Sequence, residues 1–329
     1  DNNVFMNGTG ALDFNRAGKV DAVVENKGRI TVAEEGFVGL VAPTVRNSGV
    51  IQGNLAKVQL GAADKFAVDF YGDGLIQFAV DTPKDGTKRT LTAENTGSII
   101  ADGGQVLMTA AAASNVVDSV INNEGHIQAQ TLQNRNGKIV LTGAGAKVKV
   151  SGKINASGNG DSDGGQINIG GDYQGKGELA KAATVDITET AELYADAGDN
   201  GNGGNIIIWS DANTTSRGRY YARGGTQSGN GGLVETSAKD LLDASGSYVN
   251  TLAENGKAGD WLLDPDNILI SNSGVAYNSA LPLTGTSTID VATINAALSN
   301  IILAANSGIT VGADVNIAAA NVGLTLIAG

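Results

Sequence analysis

The sequence predicts an all-β solenoid, and three observations carry that prediction. A short phrase recurs: apolar residue, Asn, any residue, Gly, apolar residue. It stands at Val24-Glu25-Asn26-Lys27-Gly28-Arg29-Ile30 and Val45-Arg46-Asn47-Ser48-Gly49-Val50-Ile51, then at Asn95-Thr96-Gly97-Ser98-Ile99 and Ile121-Asn122-Asn123-Glu124-Gly125-His126-Ile127. Spacings of 21 and 28 residues, with one gap of 48, have the period of stacked coils, each of which buries its apolar face only against its neighbours. Second, Gly is 47 of 329 residues and Pro only 4, which suits many tight turns between strands that donate hydrogen bonds on both sides. Third, the strand signals are only four or five residues long and alternate with period two, the length of one side of a triangular coil.

Those signals run in order along the chain. They are Arg29-Ile30-Thr31-Val32, Lys57-Val58-Gln59-Leu60, Lys138-Ile139-Val140-Leu141, Lys147-Val148-Lys149-Val150, Gln166-Ile167-Asn168-Ile169, Asn205-Ile206-Ile207-Ile208-Trp209 and Leu233-Val234-Glu235-Thr236. Alternation points Ile30, Val32, Ile51, Val58, Leu60, Ile99, Val106, Ile127, Ile139, Leu141, Ile167, Ile169, Ile206, Ile208 and Val234 inward. Residues 66–80 break the pattern: two strands flank Gly72-Asp73-Gly74, an antiparallel hairpin outside the solenoid. Near the end, Ile289 or Val291, with Ile294 and Leu298, has helical spacing, and Asp290 is a candidate N-cap, so one short helix is expected near 289–299. The chain stops inside the pattern, at Leu324-Thr325-Leu326-Ile327-Ala328-Gly329, and is expected to be a piece of a larger protein. At about 22 residues per coil and ~4.8 Å rise, the rod would be on the order of 70 Å long.

Composition narrows the function classes. Lys and Arg number 22 and Asp and Glu 34, a net charge of −12 that disfavours nucleic acid and anionic membranes as partners. There is no Cys, so disulfides, thiolate metal sites and cysteine nucleophiles are out. No run of 18 apolar residues is present, so no membrane insertion by a helix is expected.

Four groups of residues are candidates for a role. Asn26, Asn47, Asn95 and Asn123 occupy equivalent turn positions and are expected to stack as a structural amide ladder. Asp161, Asp163, Asp196 and Asp199 lie near Gly-rich turns and are weak calcium candidates; the tandem nonapeptide of a calcium-binding roll is missing. Trp209, Tyr220 and Tyr221 could contact carbohydrate, although Trp209 and Trp261 read more simply as core or capping residues. Gly103-Gly104, Gly164-Gly165, Gly203-Gly204 and Gly231-Gly232 each precede a strand and read as turn chemistry. A catalytic constellation is missing from the sequence. The one His, His126, sits where other copies have Arg29, Val50 and Ser98, a surface position. Asp172, Asp196, Asp211, Arg217, Arg219 and Arg223 would have to meet on adjacent coils to make a polysaccharide lyase or hydrolase. The reading is therefore not an enzyme, with a carbohydrate-active β-helix as the rival.

Several phrases resemble one family. Gly36-Phe37-Val38-Gly39-Leu40-Val41-Ala42-Pro43, Asp69-Phe70-Tyr71-Gly72-Asp73-Gly74-Leu75-Ile76-Gln77-Phe78-Ala79-Val80 and Ala101-Asp102-Gly103-Gly104-Gln105-Val106-Leu107-Met108-Thr109-Ala110 are similar to the secretion domain of filamentous haemagglutinin-type adhesins. So are Gly170-Gly171-Asp172-Tyr173-Gln174-Gly175, the run from Tyr221 through Gly231-Gly232-Leu233-Val234-Glu235-Thr236-Ser237, and Trp261-Leu262-Leu263-Asp264-Pro265. The resemblance implies a right-handed parallel β-helix, export by an outer-membrane two-partner-secretion transporter, and an extracellular place on a bacterial surface. It implies a non-enzymatic stalk or matrix adhesin in biofilm or host attachment, with a host-cell or matrix glycan or a neighbouring adhesin as ligand, or the stalk of a contact-dependent toxin. It divides the chain into 1–155, the secretion-domain-like coils, and 156–329, continuing coils with Gly-rich loops. The family's early Asn-Pro motifs are missing here, so secretion-recognition residues have no counterpart in this sequence.

Overall fold

The computed structural model describes residues 4–6, 12–14, 19, 21–63, 65–68, 76–79, 89–110, 117–132, 135–272 and 285–329. They form a right-handed parallel β-helix. Three stacks of parallel strands make its faces. The first face runs from Val23–Asn26 through Thr44–Asn47, Arg89–Asn95, Val117–Asn123, Lys147–Val150, Thr184–Ile187 and Asn213–Ser216 to Leu241–Asp243. The second face follows each of these after a tight corner, from Arg29–Thr31 to Tyr248–Asn250. The third face has ten strands, from Phe37–Ala42 to Leu324–Ala328.

Each strand presents every second residue to the interior, and the register stacks like on like. On the second face Ile30, Ile51, Ile99, Ile127, Ile154, Leu193, Tyr220 and Val249 form one inward row. On the third face Val58, Val106, Ile139, Ile167, Ile206, Val234, Trp261 and Ile301 form another. Apart from Ile30 and Val32, which are half-buried in the lowest coil, every residue assigned inward from the sequence is buried. Trp261 is fully inside, where its Nε1–H donates to Thr236 Oγ1 at 2.9 Å.

The antiparallel addition is present. Lys65–Val68 pairs with Ile76–Ala79, and Val4–Met6 and Leu12–Phe14 extend the sheet to four strands. The Gly72-Asp73-Gly74 turn lies outside the described residues. The helix is shorter than expected, Val291–Asn295, with Asp290 Oδ1 accepting the Ala292 N–H at 2.9 Å. Leu298 has already rejoined the second face, pairing with Asn250, which ends the helical segment.

The rod is also shorter than the average period implies. Ten coils at ~4.8 Å rise span about 43 Å. Many residues leave the coil path: the hairpin lengthens one period to 48 residues, between Val45 and Ala93, and an excursion over residues 170–182 lengthens another to 37, between Val148 and Val185. One feature at the upper end had no sequence signal. Ser287–Asp290 inserts between Leu241–Asp243 and the earlier strand Asn267–Ser271, with Ser287 Oγ accepting the Leu242 N–H at 2.9 Å. Gly308–Val311 then pairs on the other side of Asn267–Ser271.

Candidate functional site

The repeated Asn-x-Gly corner has a dual cause. Asn26 Nδ2–H donates to Asn47 Oδ1, Asn47 to Asn95 and Asn95 to Asn123, each at 2.8 Å. Asn47, Asn95 and Asn123 are at most 1% exposed, so the amides run as a buried chain along the axis. The glycine two residues on is required by the backbone below it. A Cβ on Gly49, Gly97 or Gly125 would lie 2.1–2.2 Å from the carbonyl oxygen of the glycine in the coil beneath. The amide row stops at Asn123, and Val150 and Ile187 continue the same row with apolar side chains.

Above residue 155 the corner between second and third faces grows into Gly-rich loops that stack on one another. The four aspartates proposed for calcium stand in or beside these loops but do not assemble a site. Asp161 Oδ1 accepts from Asn200 Nδ2, and Asp163 Oδ1 accepts the Asn202 N–H. Asp196 forms a bidentate pair with Arg223, whose Nε and Nη2 donate at 3.1 and 2.7 Å. The Asp199 carbonyl accepts the Gln227 N–H. Among the described residues no three His, Cys, Asp or Glu side chains converge. The second glycines of the Gly-Gly pairs here are packing positions: a Cβ on Gly204 or Gly232, or on Gly259 in the same row, would lie 2.0–2.1 Å from a carbonyl of the coil below.

Of the three aromatic candidates for carbohydrate contact, Tyr220 requires correction and Trp209 takes the core or capping place instead. Tyr220 is wholly buried in the inward row, its hydroxyl 2.6 Å from Ser216 Oγ, and burial raises its pKa; no external ligand reaches it. Trp209 is 8% exposed and lies beneath Gly171 and Gly175, where added Cβ atoms would fall 2.9 and 2.5 Å from the indole. Tyr221 does face outward, but its ring stacks on Tyr194 at 4.8 Å and 6° and contacts Tyr248 at 5.7 Å. Lys153, Arg219 and Arg223 lie over Tyr194, Tyr248 and Tyr221 respectively. The ladder therefore presents ring edges to solvent more than open faces. Burial and a 2.9 Å hydrogen bond to Glu192 raise the Tyr194 pKa to about 12.

The excursion over residues 170–182 forms a strap across the outside of the third face. Asn168 Nδ2 donates to Asp172 Oδ1, and Asp172 Oδ2 accepts the Leu179 N–H. Gln174, held at φ 53°, gives its N–H to both oxygens of Glu235 at 3.0 Å and its Nε2–H to Asp264. One strap thus ties strands of four successive coils. Glu235 is fully buried, and burial, only partly offset by the Gln174 N–H, raises its pKa to about 7. Sequence reading missed this acid because it sits at an outward position of a strand, where a carboxylate is ordinarily solvated.

The residues needed for a lyase or hydrolase are dispersed. Asp172 belongs to the strap, Asp196 and Arg223 to a second-to-third-face corner, and Asp211 to the next corner. Arg217 pairs with Asp243 at 2.7 Å on yet another corner. His126, half-buried on the outward second face, lies 3.3 Å from Gln128 Oε1. Among the described residues no helix is long and apolar enough to cross a membrane.

No protein-family model and no curated protein matches the chain. Among solved structures it is similar to the HMW1 secretion domain from Haemophilus influenzae, with a TM-score of 0.53 and 26% sequence identity over 77% of this chain and 69% of that one. That likeness supports a distant relationship between this chain and the secretion domains of two-partner-secretion exoproteins.

Proposed function

We propose that the chain is a non-enzymatic, rigid segment of a secreted bacterial exoprotein, exported through an outer-membrane transporter partner and used to carry adhesive surfaces away from the cell. The observation that carries this reading is the continuous β-helix with its similarity to the HMW1 secretion domain across most of both chains. The end of the asparagine ladder at Asn123 and the onset of Gly-rich corners after 155 support a division into secretion-domain-like coils, 1–155, and continuing coils, 156–329. The dispersal of the candidate acids and arginines favours a rod over an enzyme.

The test is export. The natural gene is expressed with and without its neighbouring transporter gene, and intact cells are probed with antibody. Surface or medium signal that depends on the transporter is the expected result; retention inside the cell in both cases overturns the reading. Incubation with a polysaccharide panel addresses the rival: chain shortening that vanishes in Asp172→Ala would establish an enzyme.

A further inference from the structure

A cleft of about 500 Å³ opens where the second face turns into the third near the upper end. Its cause is a missing corner. Lower coils place long loops here, the last of them over residues 251–259, and each loop donates backbone N–H groups to the loop above. Ala195 and Ala197 donate to Tyr221 and Arg223, and Ala222 and Gly224 donate to Asn250 and Leu252. In the next coil Thr251 donates to Leu298, but Ser299 leads directly into the strand Asn300–Ala305, so no loop follows. The Ala253 N–H, next in the series, makes no backbone hydrogen bond among the described residues. A later loop that includes Ala320 and Asn321 closes over the gap as a roof.

The cleft walls carry fixed polar groups. The Arg223 guanidinium is locked by its bidentate bond to Asp196 and rests 5.2 Å from the Tyr221 ring. Two of its five N–H donors are used in that bond, leaving three. Asn250 uses its Oδ1 to accept the Leu252 N–H, which fixes the amide and leaves its Nδ2–H donors available. Thr226 and Glu254 add a hydroxyl and a carboxylate at the rim, while Leu252 and Ala253 give an apolar patch.

We propose that this cleft binds a neutral saccharide of one or two rings. Donors of Arg223 and Asn250 and the carboxylates of Asp196 and Glu254 line it together, as a polyhydroxylated ring requires, and Arg223, Asp196 and Asn250 are held by hydrogen bonds before a ligand arrives. Asp196 and Glu254 outweigh Arg223, which disfavours acidic sugars. The Ala253 N–H would bond a hydroxyl or ring oxygen in place of the missing corner. For the source of its ligand the assignment rests on the adhesive reading above.

The test uses the full chain, amide-resolved NMR titration and five probes: maltose, lactose, cellobiose, α-1,2-mannobiose and glucuronic acid. At least one neutral disaccharide should shift the Ala253 and Asn250 amides, with glucuronic acid binding about tenfold more weakly. Thr226→Trp fills the rim without touching the Asp196–Arg223 pair and should abolish the shifts while leaving thermal unfolding unchanged. Glu254→Lys should narrow the gap between neutral and acidic probes. No shift at Ala253 with any neutral probe, a preference for glucuronic acid, or shifts that persist in Thr226→Trp would each overturn the assignment. Cell attachment is scored separately, so attachment that survives Thr226→Trp in a sugar-binding chain would place adhesion elsewhere without altering the cleft.

Discussion

The coils below residue 123 and those above residue 150 stack in the same register but are secured differently. The lower coils repeat one two-residue corner and run a buried amide chain through it, Asn26 to Asn123. The upper coils put Val150 and Ile187 in that row and rely on apolar packing, on Gly-rich loops that stack at another corner, and on the strap pinned by Glu235 and Asp264. A ladder works only if every coil offers the same residue at the same place. A strap needs no repetition, because a single segment reaches across several coils.

The comparison is tested most severely in the apolar rows. Ile206→Asp would bury an unpaired carboxylate in the upper coils and should cost about 3–5 kcal/mol, measured by chemical denaturation. An unchanged midpoint would show that the upper coils do not depend on that row. Asn95→Leu addresses the lower coils: it leaves Asn47 Nδ2 without its acceptor and Asn123 Oδ1 without its donor. Two orphaned buried groups should cost about 2–4 kcal/mol, with hydrogen exchange quickening in the lower coils and staying slow above residue 150.

Glu235→Gln tests the strap and should act in the opposite direction. Because the folded-state pKa is raised from 4.5 to about 7, the folded chain holds a proton that the unfolded chain releases. The stability associated with this group is full below pH 4.5, falls as pH rises to about 7 and is level above that. The Gln variant escapes that loss, so it should be more stable by on the order of 2–3 kcal/mol at pH 8 and equal to the parent near pH 4. A variant destabilised equally at both pH values would show that the carboxylate is needed as an acceptor in its charged form. The smallest effect is expected at the tyrosine ladder. Tyr248→Ala removes one tilted contact and one cation–π contact at a half-exposed site and should cost about 1 kcal/mol by thermal unfolding.

How much was legible follows from the same contrast. The Asn-x-Gly corners, the inward rows and the Asp290 cap are local or repeated signals, and they read directly from residue types at fixed spacing. Tyr220 misled because a tyrosine beside an arginine looks the same in sequence whether it faces in or out, whereas Trp209, at the end of an apolar strand, is a core or capping residue as its sequence context suggests. Their positions depend on the register of Glu192–Tyr194 beneath Tyr220 and on a strap that folds back over Trp209. The buried Glu235 was invisible because its partner, Gln174, is 61 residues away.

By itself the sequence determined the fold class, the repeated Asn-x-Gly corners and the inward apolar rows. It did so because a solenoid turns short-range periodicity into stacked contact: whatever recurs in the chain is brought together in space. Only the tertiary structure decided which coil lacks a corner, that Ser287–Asp290 slips beneath an earlier strand, and that one strap ties four coils. Those features arise from single, unrepeated contacts between segments tens of residues apart, whose loop-closure cost is met only once the coils between them have formed.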